Sequence, residues 1–142
     1  MIYTVTLNPS IDLYVEIDKL KLGVNNNIKS ETSLPGGKAI NVSRILSALR
    51  IPTVATGFTG GFQGEFIKNW LRKEDIRTDF VNMNKHNRTN IKIFENKQET
   101  KINFPGPTIN RKEVDELLFY LSRVREGDTI IFGGSVPPME DK

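Results

Sequence analysis

Apolar and polar positions alternate along the chain in two distinct rhythms. Ile2 to Leu7 is a run of β-branched, aromatic and apolar residues that predicts a strand, ended by the turn combination Asn8-Pro9-Ser10. Leu13, Val15 and Ile17 alternate with Tyr14 and Glu16, and after the polar turn Gly23 to Asn27 a second short extended piece runs from Ile28 to Ser33. Together they predict a hairpin with little apolar bulk. From Val42 the spacing changes: Val42, Ile45, Leu46 and Leu49 recur at i, i+3, i+4 and i+7, which predicts an amphipathic helix with that face buried. Pro52 ends it, and Thr53 to Phe58 reads as a buried parallel strand. A second helix follows with Phe66, Ile67, Trp70 and Leu71 as its apolar face, then a strand over Ile76 to Met83.

Arg88 to Phe94 and Thr100 to Phe104 alternate cleanly and predict a hairpin joined by Glu95 to Glu99. Asn110 with Glu113 three residues on predicts a capping box, ahead of a helix carrying Val114, Leu117, Leu118, Leu121 and Val124. Thr129 to Phe132 reads as a buried strand ending in Gly133-Gly134-Ser135, and Pro138 to Lys142 carry no pattern. Buried strands interspersed with helices predict an α/β fold with a parallel sheet flanked by helices, and the two polar-faced hairpins a small separate sheet over the strand ends. Ligands of such sheets sit at the carboxyl ends of the strands, where Asn8, Gly57, Gly60 and Gly134-Ser135 fall with Gly36-Gly37. The hinge Gly36-Gly37 opens directly into the first helix. Its free N–H groups, the Lys38 ammonium and the Asn41 amide make a site for a polar, anionic small molecule.

Composition narrows the chemistry. At 142 residues and 37% hydrophobic content the chain can bury one core, so one unit is expected. The net charge of +3 comes from scattered cations rather than a stripe with interleaved aromatics, which disfavours nucleic acid. There is no cysteine, and His86 is the single histidine, in the polar stretch Asn84 to Asn87. Zinc clusters and a Ser-His-Asp triad are thereby disfavoured. No leader-like segment and no run of membrane-spanning length is present, so a cytoplasmic protein is expected.

Three motifs then stand in order: Asn8-Pro9-Ser10-Ile11-Asp12, Gly36-Gly37-Lys38-Ala39-Ile40-Asn41-Val42, and Gly57-Phe58-Thr59-Gly60-Gly61-Phe62-Gln63-Gly64. With Arg88-Thr89-Asn90-Ile91-Lys92 and Gly134-Ser135-Val136-Pro137, they resemble the N-terminal half of the ribokinase/PfkB-type carbohydrate kinases, in register over all 142 residues. Within that family the Thr6-Leu7-Asn8-Pro9-Ser10 opening and the Asn90-Ile91-Lys92 strand are most similar to 1-phosphofructokinases, then to tagatose-6-phosphate kinases. The resemblance implies phosphoryl transfer from ATP, with Mg2+, to a hydroxyl of a ketohexose phosphate. It also implies a homodimer in which a β-lid, residues 11–34 and 87–105, closes over the sugar.

By that resemblance Asp12 accepts sugar hydroxyls, and Gly36, Gly37, Lys38 and Asn41 form the floor of the sugar-phosphate site. Arg88, Asn90 and Lys92 match lid positions, Arg88 and Lys92 at the phosphate end, and Ser135 a hydroxyl past the last strand. On the residues alone, Asp12 reads equally as a turn-capping carboxylate, Lys92 as a solvated strand face and Ser135 as a turn residue. Two positions depart from the pattern: Ala39 stands where the family has Gly, and Asn26 where these kinases place an Arg. The family keeps its ATP site and catalytic aspartate in a Gly-Ala-Gly-Asp-like segment, and none occurs in these 142 residues. The expectation is therefore a substrate-and-lid half with no catalytic residue of its own, silent alone. Its alternative is a non-catalytic sugar-phosphate-binding or dimerisation module.

Overall fold

A computed structural model describes residues 1–140. At its centre β1 (Ile2–Thr6) lies between β4 (Thr53–Thr59) and β9 (Thr129–Gly133), parallel to both, with Ile2 level with Thr53 and Thr129. Every residue of β4 is buried, as a β-branched and apolar run covered on both faces should be. The segment read as one strand over Ile76 to Met83 is instead two short pieces, β5 (Arg77–Thr78) and β6 (Val81–Asn82), both on β4. Between them the Asp79 N–H still donates to the Ala55 carbonyl of β4 (2.9 Å), but its own carbonyl accepts from the Thr56 hydroxyl (2.7 Å).

Helices cover both faces of this sheet. On one, α3 (Arg111–Leu121) packs Leu117 onto Val5, Phe58, Val81 and Met83, with Val114 and Leu121 partly buried. The expected capping box is present: Asn110 Oδ1 accepts from the Glu113 N–H, and the Glu113 carboxylate accepts from the Asn110 N–H, both at 2.9 Å. Tyr120 on α3 donates to Asp79 (2.9 Å); burial, then that carboxylate, raise the phenol's pKa well above its ordinary value. On the other face, α1 (Lys38–Ala48) and α2 (Gly61–Lys73) bury Ile40, Ile67 and Leu71 against Ala55.

The buried face of α1 differs from the one the apolar spacing predicts. Ala39, Ile40 and Ser43 are buried, whereas Ile45 and Leu49 are 62% and 64% exposed. The cause is a chain of hydroxyls: Thr4 Oγ1 to Ser43 Oγ (2.6 Å), and Ser43 Oγ to Thr53 Oγ1 (2.7 Å), all buried. Small residues on that stripe let the helix approach the sheet closely, and the hydroxyls satisfy one another there. β9 is also more open than expected, with Phe132 60% exposed, because β1 pairs with one side of it and no described strand with the other. Beyond it, Met139 bridges to Ile109, in the tail that carries no sequence pattern; residues 141–142 of that tail lie outside the described residues.

A second sheet stands over the strand ends. β2 (Ser10–Glu16) with β3 (Ser30–Gly36), and β7 (Arg88–Glu95) with β8 (Gln98–Ile102), are antiparallel hairpins, joined because β2 runs parallel to β7. The second hairpin is tighter than expected. Its turn is Asn96-Lys97 alone, both at positive φ (42° and 65°), the mirror-image turn that matches strand twist. One face of this sheet is apolar, with Val15, Ile17 and Ile93 closed over by Leu13, Leu20 and Ile91.

Replacing Ser43 with alanine removes the middle of the hydroxyl chain and strands two buried partners. It should destabilise the protein by about 1–3 kcal/mol in denaturant unfolding, with the m-value unchanged.

Candidate functional site

Strand alternation assembles the site. Ser10, Asp12 and Tyr14 lie on one face of β2, and the parallel register sets them level with Arg88, Asn90 and Lys92 of β7. The Asp12 side chain is nearly buried, and both of its oxygens have partners. Oδ1 accepts from the Ser10 hydroxyl (2.7 Å) and the Asn90 amide (3.4 Å), and Oδ2 faces the Lys92 ammonium at 3.4 Å. Asn90 is fixed in turn by the Phe104 N–H, which donates to its Oδ1 (3.0 Å). Lys92 donates to the Tyr14 hydroxyl (3.3 Å) and lies 4.9 Å from the centre of that ring. Burial alone would lower the Lys92 pKa, but Tyr14 and Asp12 together outweigh it and hold the ammonium above its ordinary value. Ser10 and Tyr14 do not figure among the residues singled out from sequence. Their signal was the i, i+2, i+4 spacing with Asp12, opposite Ile11, Leu13 and Val15.

Gly36 ends β3 directly opposite Ser10. A Cβ there would stand 2.3 Å from Asp12 Oδ2 and 2.5 Å from the Ser10 hydroxyl, so only glycine permits the carboxylate to sit where it does. Gly37, at φ 124°, then turns the chain into α1 as its N-cap, with no side-chain cap and no acid in the first turn. Lys38 is exposed at that helix start. Asn41, one turn on, is exposed and accepts from Arg44 (3.2 Å), whose guanidinium lies 4.8 Å from the Trp70 ring centre. An open groove of about 1130 Å³ brings Asp12, Tyr14 and Asn41 together with Arg44 and Trp70.

Arg88 and Ser135 form a neighbouring cluster rather than lining that groove. The Arg88 guanidinium donates to the Asn8 carbonyl (3.2 Å), the Phe104 carbonyl (3.0 Å) and the Ser135 hydroxyl (3.1 Å). Asn8 Nδ2 donates to the Pro105 carbonyl (3.0 Å) and to Ser135 (3.3 Å), and its buried Oδ1 has no partner among the described residues. Burial lowers the Arg88 pKa, and Asp12 acts against that shift. The start of α1 touches this cluster too. A Cβ on Gly133 would meet the Ala39 nitrogen at 3.0 Å, and one on Gly134 the Lys38 nitrogen at 3.5 Å. The Ala39 methyl packs on the end of β9 rather than over Gly36, and Ala39 is fully buried. Asn26 is spent on a turn, accepting from the Lys21 N–H and donating to the Lys21 and Val24 carbonyls. His86 is exposed, with Nδ1 2.9 Å from the Asn87 carbonyl oxygen.

Among the described residues no group of three or more His, Cys, Asp or Glu side chains converges as a metal site, and no helix is long and apolar enough to cross a membrane.

Comparison with known proteins gives this geometry a context. Residues 5–141 match the profile of the pfkB family carbohydrate kinases. Over 137 residues the chain is 42% identical to 1-phosphofructokinase of Bacillus subtilis and, separately, 42% identical to D-tagatose-1-phosphate kinase of Bacillus licheniformis. In each case 96% of this chain aligns with 45% of the relative, so the chain spans under half the length of the curated relatives it matches. Among solved structures, phosphofructokinase-2 of Escherichia coli in complex with fructose-6-phosphate superposes with a TM-score of 0.90 at 26% identity, over 96% of this chain and 46% of that one. With the α/β layering, the sheet over the strand ends and the match along nearly all its length, the chain belongs to the pfkB family of carbohydrate kinases.

Proposed function

We propose that this chain supplies the sugar-phosphate-binding part of a kinase that converts D-fructose 1-phosphate to fructose 1,6-bisphosphate. The observation that carries the reading is Asp12, a nearly buried carboxylate held by Ser10, Asn90 and Lys92 in a groove it shares with Asn41. Such a group accepts hydrogen bonds only, which suits the hydroxyls of a sugar. The four-stranded sheet acts as the lid, residues 11–34 and 87–105. In this reading Gly36 and Gly37 let the ring approach the backbone and Asn41 meets it from the groove wall. Lys38, Lys92 and Arg88, which do not line the groove, reach the ligand from beside it. The hydroxyl of Ser135 orients Arg88. Two relatives that act on 1-phosphates, at equal identity, support a phosphate on the first carbon.

ATP with Mg2+ supplies the phosphoryl group in this reading. The residues present do not by themselves fit a nucleotide–metal pair, since the sequence has no Gly-Ala-Gly-Asp-like segment and no acidic cluster converges among the described residues. Their part is to bind and orient the acceptor sugar and to exclude water from it. The same reading places a homodimer contact on the lid, whose strand β8 is exposed along its length. Tagatose 6-phosphate is the second reading, favoured by 35% identity to a tagatose-6-phosphate kinase of Staphylococcus epidermidis. A purely binding role for the chain is the third.

Thermal unfolding of the 142-residue chain with fructose 1-phosphate, tagatose 6-phosphate or fructose 6-phosphate ranks the three. Fructose 1-phosphate should raise the melting temperature most; a larger shift with tagatose 6-phosphate would transfer the assignment to that sugar, and no shift with any would remove it. An alanine at Gly36 should cost about 1–3 kcal/mol of stability through overpacking against Asp12 and abolish that ligand-induced shift. Denaturant unfolding with and without fructose 1-phosphate checks both effects.

A further inference from the structure

Two residues on the wall of the groove decide which way a hydrogen bond can run there. Asn41 and Arg44 both line it, and they stand on α1 at the i, i+3 spacing that sets side chains next to each other. Arg44 donates from Nη1 to Asn41 Oδ1 (3.2 Å), and its guanidinium lies 4.8 Å from the centre of the Trp70 ring. Trp70 is itself held, packed half-buried on the cluster of Ile11, Ile40 and Ile67. A guanidinium over an aromatic ring keeps its planar fork in place, which a long side chain on an open surface otherwise does not. Asn41 is the sole hydrogen-bond partner of Arg44 among the described residues.

The chemistry of the two groups leaves one orientation. A guanidinium has donors and no acceptor, so it can meet only the oxygen of the amide. The opposite rotamer would set the Asn41 NH2 group against the Arg44 N–H groups. Asn41 is exposed, and its Nδ2 has no acceptor among the described residues, so the donor end stays free. Donation from a cation also polarises the amide and strengthens what Nδ2 offers. Charges along the groove balance: Arg44, Arg50 and Lys73 stand against Asp12, Glu74 and Asp75. Net charge therefore does not select a ligand here, and the direction of hydrogen bonding does. A ligand lying along the groove meets acceptors at Asp12 and donors at Asn41.

We propose that Arg44 is a positioning residue for the acceptor sugar: held over Trp70, it turns the Asn41 amide so that Nδ2 donates into the groove. Arg44 acts through Asn41 and does not touch the ligand. The proposal rests on the reading of this groove as a sugar-phosphate site.

Calorimetric titration of the whole 142-residue chain with fructose 1-phosphate tests it, for the parent and for R44M, R44K, N41A, D12N and the double variant R44M/N41A. R44M keeps a long side chain without a donor and should weaken binding about fivefold. R44K restores one charged donor and should stay within about twofold of the parent. The double variant should bind as N41A does, because the two residues act as one. A further loss from R44M in the N41A background makes Arg44 a direct contact or a support of the fold, and overturns the proposal. A spectroscopic reading covers the case in which N41A binds too weakly to titrate. In proton–nitrogen correlation spectra of the parent, the Asn41 NH2 pair, identified by its loss in N41A, should move when fructose 1-phosphate is added; a pair that stays in place overturns the proposal. Without ligand, R44M should melt within about 3 °C of the parent, and a larger fall counts against a positioning role. Equal affinity of R44M and parent, with N41A and D12N weakened, overturns the role of Arg44 and leaves the sugar-phosphate site standing. Unchanged binding in both N41A and D12N, or no binding of fructose 1-phosphate by the parent at millimolar concentration, overturns the site and the proposal with it.

Discussion

The parallel pairing of β2 with β7 is the constraint on which the rest depends. It joins segments 78 residues apart, and it alone brings Asn90 and Lys92 to Asp12. Each hairpin by itself would be marginal in water, and joined they bury Val15, Ile17 and Ile93 on their apolar side. The polar side depends on the same register. A carboxylate on a side chain only 11% exposed is costly unless it is compensated, and the compensation here is the Ser10 hydroxyl, the Asn90 amide and the Lys92 ammonium. A slip of one residue between β2 and β7 would turn Asn90 and Lys92 to the face away from Asp12. The charge arrangement of the groove and the existence of the second sheet are thus one structural fact.

Local signals carried much of the fold. The capping box at Asn110 and the covered strand at Thr53 to Thr59 are visible because a single segment determines each. Hairpin formation was visible as well, although the turn at Asn96-Lys97 proved shorter than the polar run around it suggests. What failed was whatever a distant segment decides. The orientation of α1 follows from Thr4 and Thr53, which draw Ser43 inward against the stronger apolar signal of Ile45 and Leu49. The split of β5 from β6 follows from the Thr56 hydroxyl, and the openness of β9 from its place at the sheet edge. Asp12 was legible as an acceptor and the resemblance marked Asn90, but that Asn90 and Lys92 meet Asp12 needed the tertiary register.

Arg88 illustrates the limit for site residues. A resemblance can mark the position but says nothing of who occupies its five donors. In the structure the guanidinium ties the exit of β1, the exit of β8 and the turn after β9 to one point, through Asn8, Phe104 and Ser135. One N–H on each terminal nitrogen is left over. Its first role is therefore to hold three chain segments in place around the groove, and any ligand contact is built on that tie. Neutral acceptors also leave its charge uncancelled, so the tie contributes a positive field at no cost in local pairing.

The helix starts carry the same logic. α3 closes its N-terminus with both halves of a capping box; α2 starts at Gly60 with no side-chain cap and no acid in its first turn, though the Asn87 amide oxygen takes the Gly60 N–H (3.0 Å). α1 has neither the box nor such an amide. It begins at a glycine, with no side-chain cap and no acid in its first turn, and its first helical hydrogen bond is the one from the Asn41 N–H to the Gly37 carbonyl. Of the residues before Asn41 in that first turn, Lys38 is exposed, whereas Ala39 and Ile40 are fully buried. A capping Ser or Asp in place of Gly37 would have to adopt φ 124° and would drive its Cβ to 2.5 Å from the Thr6 methyl. The backbone that lets Gly36 clear Asp12 thus also leaves the helix uncapped. The seat of the Asp12 carboxylate and the uncapped start of α1 depend on a single adjacent pair of glycines.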